Sequence, residues 1–120
     1  PVQLHLVAPQ APFFDNRELV VMSTCGPLAS PDVHWRFLRG RGVVVACPKL
    51  DRTEPYVAKL AAILSNPTIP KVIVARMAVP CCGGLSQFVR AAVAQSGRAD
   101  LHATEVIIEL EGGIRAEQPL

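Results

Sequence analysis

The sequence has no long hydrophobic run, which limits where the chain can act. A membrane-spanning helix needs about 20 consecutive apolar residues, and no segment of the 120 residues approaches that length. The start, Pro1-Val2-Gln3-Leu4, lacks the basic region and small-residue cleavage site of a signal peptide. We expect no membrane association, and we interpret a chain that begins at Pro1 rather than Met as a fragment of a longer one.

An excess of one charge is also missing, because 12 basic and 10 acidic residues leave a net charge of only +2. Arg36, Arg39 and Arg41 form a small basic cluster, which is far from the basic stripe of a nucleic-acid-binding protein. We therefore expect no nucleic-acid partner. The cluster is interpreted as a solvated helix end, with docking of an acidic redox partner or a nucleotide as the alternative.

Several catalytic signatures are absent as well. The sequence contains no GxGxxG loop, no Walker loop, no Ser–His–Asp set and no pair of catalytic carboxylates. Its four cysteines are too few for a disulfide scaffold and do not form the closely spaced pairs of a zinc knuckle. Such a set is more often metal-binding or catalytic, and it predicts a reduced, cytoplasmic protein.

Short apolar segments dominate what is present, since half of the residues are hydrophobic. The middle segments are rich in Val and Ile with little polar alternation, as in parallel strands that are covered on both faces. The predicted strands are Val2–Val7, Glu18–Ser23, Gly42–Ala46, Lys71–Met77 and Thr104–Leu110.

Helical patterns lie between the strands. One helix is predicted from Pro31 to about Arg39, one from Glu54 to Asn66, and one from about Cys82 to Gly97. The alternation of strands and helices predicts a single α/β domain over residues 1–120, with a Rossmann-like, mostly parallel sheet of about five strands and helices on both faces. We expect a helical turn or an apolar loop over residues 8–17, and a frayed tail over residues 112–120.

All four cysteines lie just beyond predicted strands. Cys25 and Cys47 follow the second and third strands, and the vicinal pair Cys81-Cys82 follows the fourth. Because the carboxyl ends of parallel strands share one edge, where ligand crevices form, we expect the four thiols to converge. Gly83 and Gly84 are predicted to allow close backbone approach and positive φ at the start of a helix. Their N–H groups are expected to point at sulfur, which would lower the pKa of the thiols.

Three types of site are compatible with this pattern. An iron–sulfur cluster held by four thiolates is favoured because it accepts varied ligand spacing. A structural zinc site is the first alternative, although adjacent cysteines would strain a tetrahedral site. The second is a thiol redox centre with no metal, in which one cysteine is oxidised and another resolves it.

Two polar residues are weaker candidates for a supporting role near the thiols. His34 lies in the predicted helix after Cys25, and Lys49 follows Cys47-Pro48. Asp51, two residues further on, is predicted to cap the next helix or to form a hydrogen bond near the site.

Four segments carry a family resemblance. Residues 1–6, Ala11-Pro12-Phe13-Phe14, Cys47-Pro48-Lys49-Leu50-Asp51 and Val79-Pro80-Cys81-Cys82-Gly83-Gly84 resemble the C-terminal domain of prokaryotic iron–sulfur proteins labelled 4Fe–4S ferredoxins. The resemblance covers nearly the whole chain and implies electron transfer. In that family a ferredoxin-type module normally precedes this domain, and Asp often stands where this chain has Thr24.

A looser similarity concerns Cys47 and the Cys81-Cys82-Gly83 triplet. These residues resemble the first half of the CCG motif of heterodisulfide-reductase-type subunits, but the downstream C-x-x-C is missing. Cys25 would complete the set. We therefore predict one 4Fe–4S cluster on Cys25, Cys47, Cys81 and Cys82, with a redox protein or ferredoxin-type module as partner and a homo-oligomer left open.

Overall fold

A computed structural model describes residues 2–120 and contains one five-stranded sheet. The strand order is β2-β1-β3-β4-β5; the first four strands are parallel, and β5 is antiparallel to β4. The predicted α/β fold with a mostly parallel sheet is confirmed. The strands are β1 (Leu19–Ser23), β2 (Gly42–Ala46), β3 (Lys71–Met77), β4 (His102–Ile108) and β5 (Ile114–Pro119).

Short helices and helical turns lie in the segments that connect the strands. A 3₁₀ turn lies before β1, a π-helical turn follows α1, and a second 3₁₀ turn leads directly into α3. No helix in the described part of the chain is long and apolar enough to cross a membrane. The elements are the 3₁₀ turn Pro12–Phe14, α1 (Gly26–Ala29), the π turn His34–Leu38, α2 (Tyr56–Leu64), the 3₁₀ turn Pro80–Cys82 and α3 (Gly83–Ser96).

The core is divided into two layers by the sheet. Alternate strand residues such as Val21 pack with Leu60 of α2 and Leu85 of α3 on one face. Their neighbours along the strand, such as Met22, pack with Phe37 of the π turn on the other face. Because both faces are covered, β1 is buried along its whole length, as its run of apolar residues predicts.

The N-terminal segment does not form the predicted strand. Gln3 makes a single parallel bridge to Val45, and the chain then turns. The Gln3 side chain accepts a hydrogen bond from the backbone N–H of His5 at 2.6 Å. This local bond competes with strand pairing, so the prediction for Val2–Val7 is wrong even though Leu4 and Val7 are buried in the core.

The predicted helix from Pro31 to Arg39 is confirmed only in part, because helix formation starts earlier and is interrupted. Pro27 lies at the start of α1, where its missing N–H costs nothing. Ser30, which precedes Pro31, is extended with ψ 113° and ends α1, since a residue before proline avoids the helical region. Helical structure resumes only in the π turn His34–Leu38.

The C-terminal tail, predicted to be frayed, instead forms β5. The prediction failed because most side chains of β5 are exposed and give no apolar pattern. Backbone pairing holds the strand against β4, which begins two residues earlier than predicted. The side chain of Gln118 also donates to Glu105 at 2.7 Å, so the tail is an integral edge of the sheet.

Candidate functional site

All four cysteines line one cavity at the carboxyl edge of the parallel strands. The cavity has a volume of about 230 Å³. It lies where the chain leaves β1 towards β2 but leaves β3 towards β4, the kind of crevice in which α/β sheets bind ligands. The expected convergence of the thiols is confirmed. The lining residues are Ser23, Thr24, Cys25, Cys47, Pro48, Met77, Val79, Cys81, Cys82 and Leu110.

The four thiols differ in their exposure to solvent. Cys25 and Cys81 are exposed, Cys47 is half-buried and Cys82 is buried, and each is a free thiol. Within residues 2–120, no group of three or more His, Cys, Asp or Glu side chains is arranged to hold a single metal ion. The thiols therefore surround a shared volume, with two of them reachable from outside.

The Cys25 loop is positioned by the end of β1. The N–H of Thr24 donates to the carbonyl of Ala46 at 3.1 Å, which ties this loop to the neighbouring strand β2. A Cβ at Gly26 would lie 3.0 Å from Cγ of Met22, so a larger residue there would force the Met22 side chain to shift. Cys25 is consequently held at the mouth of the crevice.

Asp51 organises the Cys47 loop. Its carboxylate accepts hydrogen bonds from the N–H of Cys47 at 2.9 Å, from Gln3 at 3.2 Å and from the hydroxyl of Tyr56. Burial and the bond to Asp51 raise the pKa of Tyr56 well above its usual value. Asp51 thus closes the loop of Cys47 rather than capping α2, whose start has no side-chain cap.

One backbone N–H donates directly to sulfur. The N–H of Leu50 lies 3.4 Å from Sγ of Cys47, within the turn closed by Asp51. Donors of this kind stabilise negative charge on a thiolate. The sequence predicts such donors at Gly83 and Gly84, whereas this one belongs to the other cysteine loop.

Of the roles predicted for the two glycines after the vicinal cysteines, close approach is confirmed at Gly84 and positive φ is wrong for both. Gly83 has φ −59° and donates its N–H to the carbonyl of Pro80, and neither Gly83 nor Gly84 is among the residues with positive φ. A Cβ at Gly84 would lie 3.2 Å from Cβ of Pro48. Gly84 therefore permits close contact between the start of α3 and the Cys47 loop.

The pKa of the buried thiol moves in the opposite direction from the prediction. Burial raises the pKa of Cys82, and the neighbouring Cys81 adds to this effect. The Met77 backbone and the nearby polar Ser23 side chain oppose the rise but do not cancel it. Desolvation exceeds the stabilisation expected from the helix start, so Cys82 favours the neutral thiol when it has no positively charged partner.

Ser23 is a cavity residue that the sequence pattern did not single out. The residue is 1% exposed, and its hydroxyl has no hydrogen-bond partner in the described structure. A serine that ends the apolar run Leu19-Val20-Val21-Met22, two residues before a cysteine, is the signal that could have found it. Leu110 was also missed, because it follows β4 in a turn with no motif.

The structure does not place His34 or Lys49 in the cavity. His34 is exposed and shares a separate surface depression with Trp35, Leu38 and Arg39. Lys49 is exposed and is not among the cavity-lining residues. The predicted supporting role of these two residues is therefore not backed by a place at the cavity wall.

The basic cluster is largely engaged within the chain. Arg36 pairs with Glu117 of β5, and Arg41 pairs with Glu18 at 2.8 Å. The guanidinium of Arg39 lies 4.4 Å from the centre of the Trp35 ring. Two of the three charges are thus compensated locally, which weakens the case for this surface as a docking site for an acidic partner.

The family model of the Rossmann-like domain matches residues 11–120. The chain belongs to the Rossmann-like domain family. It is also similar to an uncharacterised protein of Archaeoglobus fulgidus, with 28% identity over 114 residues that cover 95% of this chain and 79% of the relative. No solved structure matches the chain at a significant level.

This Rossmann-like domain carries thiols where dinucleotide-binding members carry a phosphate loop. The turn after the first strand normally contains glycines that bring a helix N-terminus to the pyrophosphate. Here that turn reads Thr24-Cys25-Gly26-Pro27, and the helix that follows it has only four residues. The corresponding crevice of this chain is lined mainly with sulfur and apolar groups.

Proposed function

We propose that the chain binds one iron–sulfur cluster of the 4Fe–4S type through Cys25, Cys47, Cys81 and Cys82, and that it serves in electron transfer or redox sensing. The observation that supports this proposal is that every cysteine of the chain lines the same cavity. Four thiolates are the usual donor set for such a cluster. When bound, a cluster of this kind accepts and releases single electrons.

The surroundings of the thiols suit that donor set. Pro48, Met77 and Val79 give the cavity a mainly apolar wall, and such a wall limits water access and tunes the potential of a metal centre. The Leu50 N–H supplies one hydrogen bond to Cys47. These residues would hold the thiolates in place and partly shield them from solvent.

A single zinc ion fits the cavity less well. In a tetrahedral zinc site each sulfur lies about 2.3 Å from one ion, so neighbouring sulfurs are about 3.8 Å apart. Residues 2–120 offer no group of three or more candidate ligands arranged around one ion. In a cluster each thiolate binds a different iron, which accommodates thiols spread around a larger volume.

A metal-free thiol enzyme is also disfavoured by the chemistry of Cys82. Reactive thiols generally have a lowered pKa and an electropositive setting. Burial instead raises the pKa of Cys82, so this member of the vicinal pair is a poor nucleophile. The same buried thiol is a good metal ligand, because positive charge on the metal offsets the cost of burying the thiolate.

The family resemblance of the Cys47-Pro48-Lys49-Leu50-Asp51 and Val79–Gly84 segments points to the same function and to a partner. We propose that a ferredoxin-type module or another redox protein exchanges electrons with this domain in the cytoplasm. A cluster-binding chain of this kind needs a reducing compartment to keep its thiols available.

Anaerobic reconstitution with ferrous iron and sulfide tests the proposal. We expect a brown protein with broad absorption in the visible region and about four iron and four sulfide per chain. Single Ser replacements at Cys25, Cys47, Cys81 and Cys82 should each lower cluster content, whereas Ser65→Ala, directly after α2, serves as a control. A colourless protein with one zinc per chain, or a metal-free protein with a vicinal disulfide, would contradict the proposal.

A further inference from the structure

Ser23 is a buried hydroxyl with no partner at the wall of the cysteine cavity. The residue is 1% exposed, and Oγ makes no hydrogen bond to any group within residues 2–120. Burying a hydroxyl without a partner destabilises a folded protein. Because buried polar groups nearly always have a partner, this hydroxyl is expected to bind a group that the chain itself does not supply.

The neighbours of Ser23 indicate what could satisfy the hydroxyl. It lines the same cavity as the buried Cys82 thiol. Apart from Thr24, which is exposed, the other residues that line the cavity, such as Met77, offer no oxygen or nitrogen from their side chains. Sulfur is thus the acceptor that this part of the cavity provides.

We propose that Ser23 donates a hydrogen bond to a sulfur atom of the bound cluster or to its Cys82 ligand, and so sets the reduction potential of the centre. This inference rests on the proposed function, because it needs a cluster in the cavity. Hydrogen bonds to cluster sulfurs stabilise the more negatively charged reduced state. Ser23 would therefore hold the potential higher than an apolar cavity alone would give.

The protein without metal provides a first and independent test of the hydroxyl's role. Ser23→Ala removes a polar atom that has no partner, so the unloaded protein should unfold at the same or a higher urea concentration than the wild type. A clear loss of stability would show that Ser23 has a structural partner within the chain and would overturn the proposal.

The loaded protein provides the deciding test. After reconstitution with iron and sulfide, Ser23→Ala should shift the midpoint potential to a more negative value, whereas the control Ser65→Ala should leave it unchanged. Exchange into D₂O should shift the iron–sulfur stretching bands of the wild type, and this shift should shrink in Ser23→Ala. A structural role alone would not move either readout.

The two proposals fail in different ways. If the wild type takes up no cluster, both the proposed function and this inference are wrong. If the wild type takes up a cluster but Ser23→Ala leaves the potential and the isotope shift unchanged, only the inference is overturned. Ser23→Thr, which keeps the hydroxyl, should retain a potential closer to that of the wild type.

Discussion

The carboxylate of Asp51 accepts a hydrogen bond from the backbone N–H of Cys47, and the carbonyl of Cys47 accepts one in return from the N–H of Asp51. The two bonds measure 2.9 and 3.0 Å and close a five-residue loop around a thiol. Tyr56 and Gln3 fix the carboxylate from outside the loop. The position of Cys47 thus depends on groups that are distant in sequence.

Asp51→Ala should destabilise the protein and weaken retention of a cluster. The change leaves the Cys47 N–H and the hydroxyl of the buried Tyr56 without their acceptor, which we expect to cost about 2 to 3 kcal/mol. Urea unfolding of the unloaded protein measures this loss. Iron content after a chelator challenge measures retention.

The matched control for this prediction is Asp32→Ala, which removes an exposed carboxylate. Tyr56→Phe should cost about 1 kcal/mol by itself. In the double variant of Asp51 and Tyr56 the loss should be smaller than the sum, because the two side chains share one bond. Strict additivity would contradict this interpretation.

The pair Gly83 and Gly84 offers a prediction in which adjacent, identical substitutions have opposite effects. Gly84→Ala places Cβ 3.2 Å from Pro48 and should push the Cys47 loop away from α3, at a cost of about 1 kcal/mol or more. Gly83→Ala meets no atom within 4 Å and should stabilise the helix start by about 0.5 to 1 kcal/mol. Thermal unfolding of both variants measures these changes in stability. Equal changes would mean that the Pro48 contact is unimportant.

We expect the stability of the protein to depend on pH through the ionisation of Glu105. Burial alone would raise its pKa, but hydrogen bonds from Ser86, Arg76 and Gln118 outweigh burial and lower it from 4.5 to about 2. Since the folded pKa is the lower one, this stabilisation is present above pH 4.5 and is lost as the pH falls towards 2. Its size is about 3 kcal/mol.

Glu105→Gln is the test of that pH dependence. The free energy of unfolding of the wild type should exceed that of the variant by the most near neutral pH, and the difference should shrink between pH 5 and pH 3. Glu111→Gln, an exposed carboxylate, is the control. A difference that is constant with pH would show that the charge of Glu105 does not contribute.

Gly112 controls the turn that carries Leu110 over the cavity. The residue has φ +99°, and a Cβ there would lie 2.5 Å from the carbonyl oxygen of Ala29. Gly112→Ala should therefore displace Leu110 and shorten the lifetime of a bound cluster in air several-fold. Gly113→Ala places no atom within 4 Å of the added Cβ and should leave the lifetime unchanged. Equal lifetimes of the two variants would show that Leu110 does not protect the cluster.

The part of the fold that follows from local pattern was predictable from the sequence. Gly42–Ala46 and Lys71–Met77 form strands with the predicted bounds, because a run of apolar β-branched residues has few alternatives. The convergence of the cysteines followed from the parallel order of those strands. In contrast, β5 is defined by backbone pairing with β4 and by the Gln118–Glu105 bond, and neither leaves an apolar signature.

The supporting groups of the site were not predictable for a similar reason. The need for glycine at position 84 comes from Pro48, which lies on a different loop. The missing partner of the Ser23 hydroxyl is a property of the packed cavity. The direction of the Cys82 pKa depends on how deeply that one thiol is buried. Each of these facts requires the tertiary structure.

The order of the strands in the sheet also determines when the cavity can form during folding. Its cysteines follow β1, β2 and β3. The neighbours β1 and β3 can pair only after β2 and α2, which lie between them in the chain, have been made. In a nascent chain Cys25 and Cys47 are therefore not yet held beside the pair Cys81-Cys82. Insertion of the proposed cluster would therefore follow chain folding, and the exposed Cys25 and Cys81 would mark the entrance for iron and sulfide.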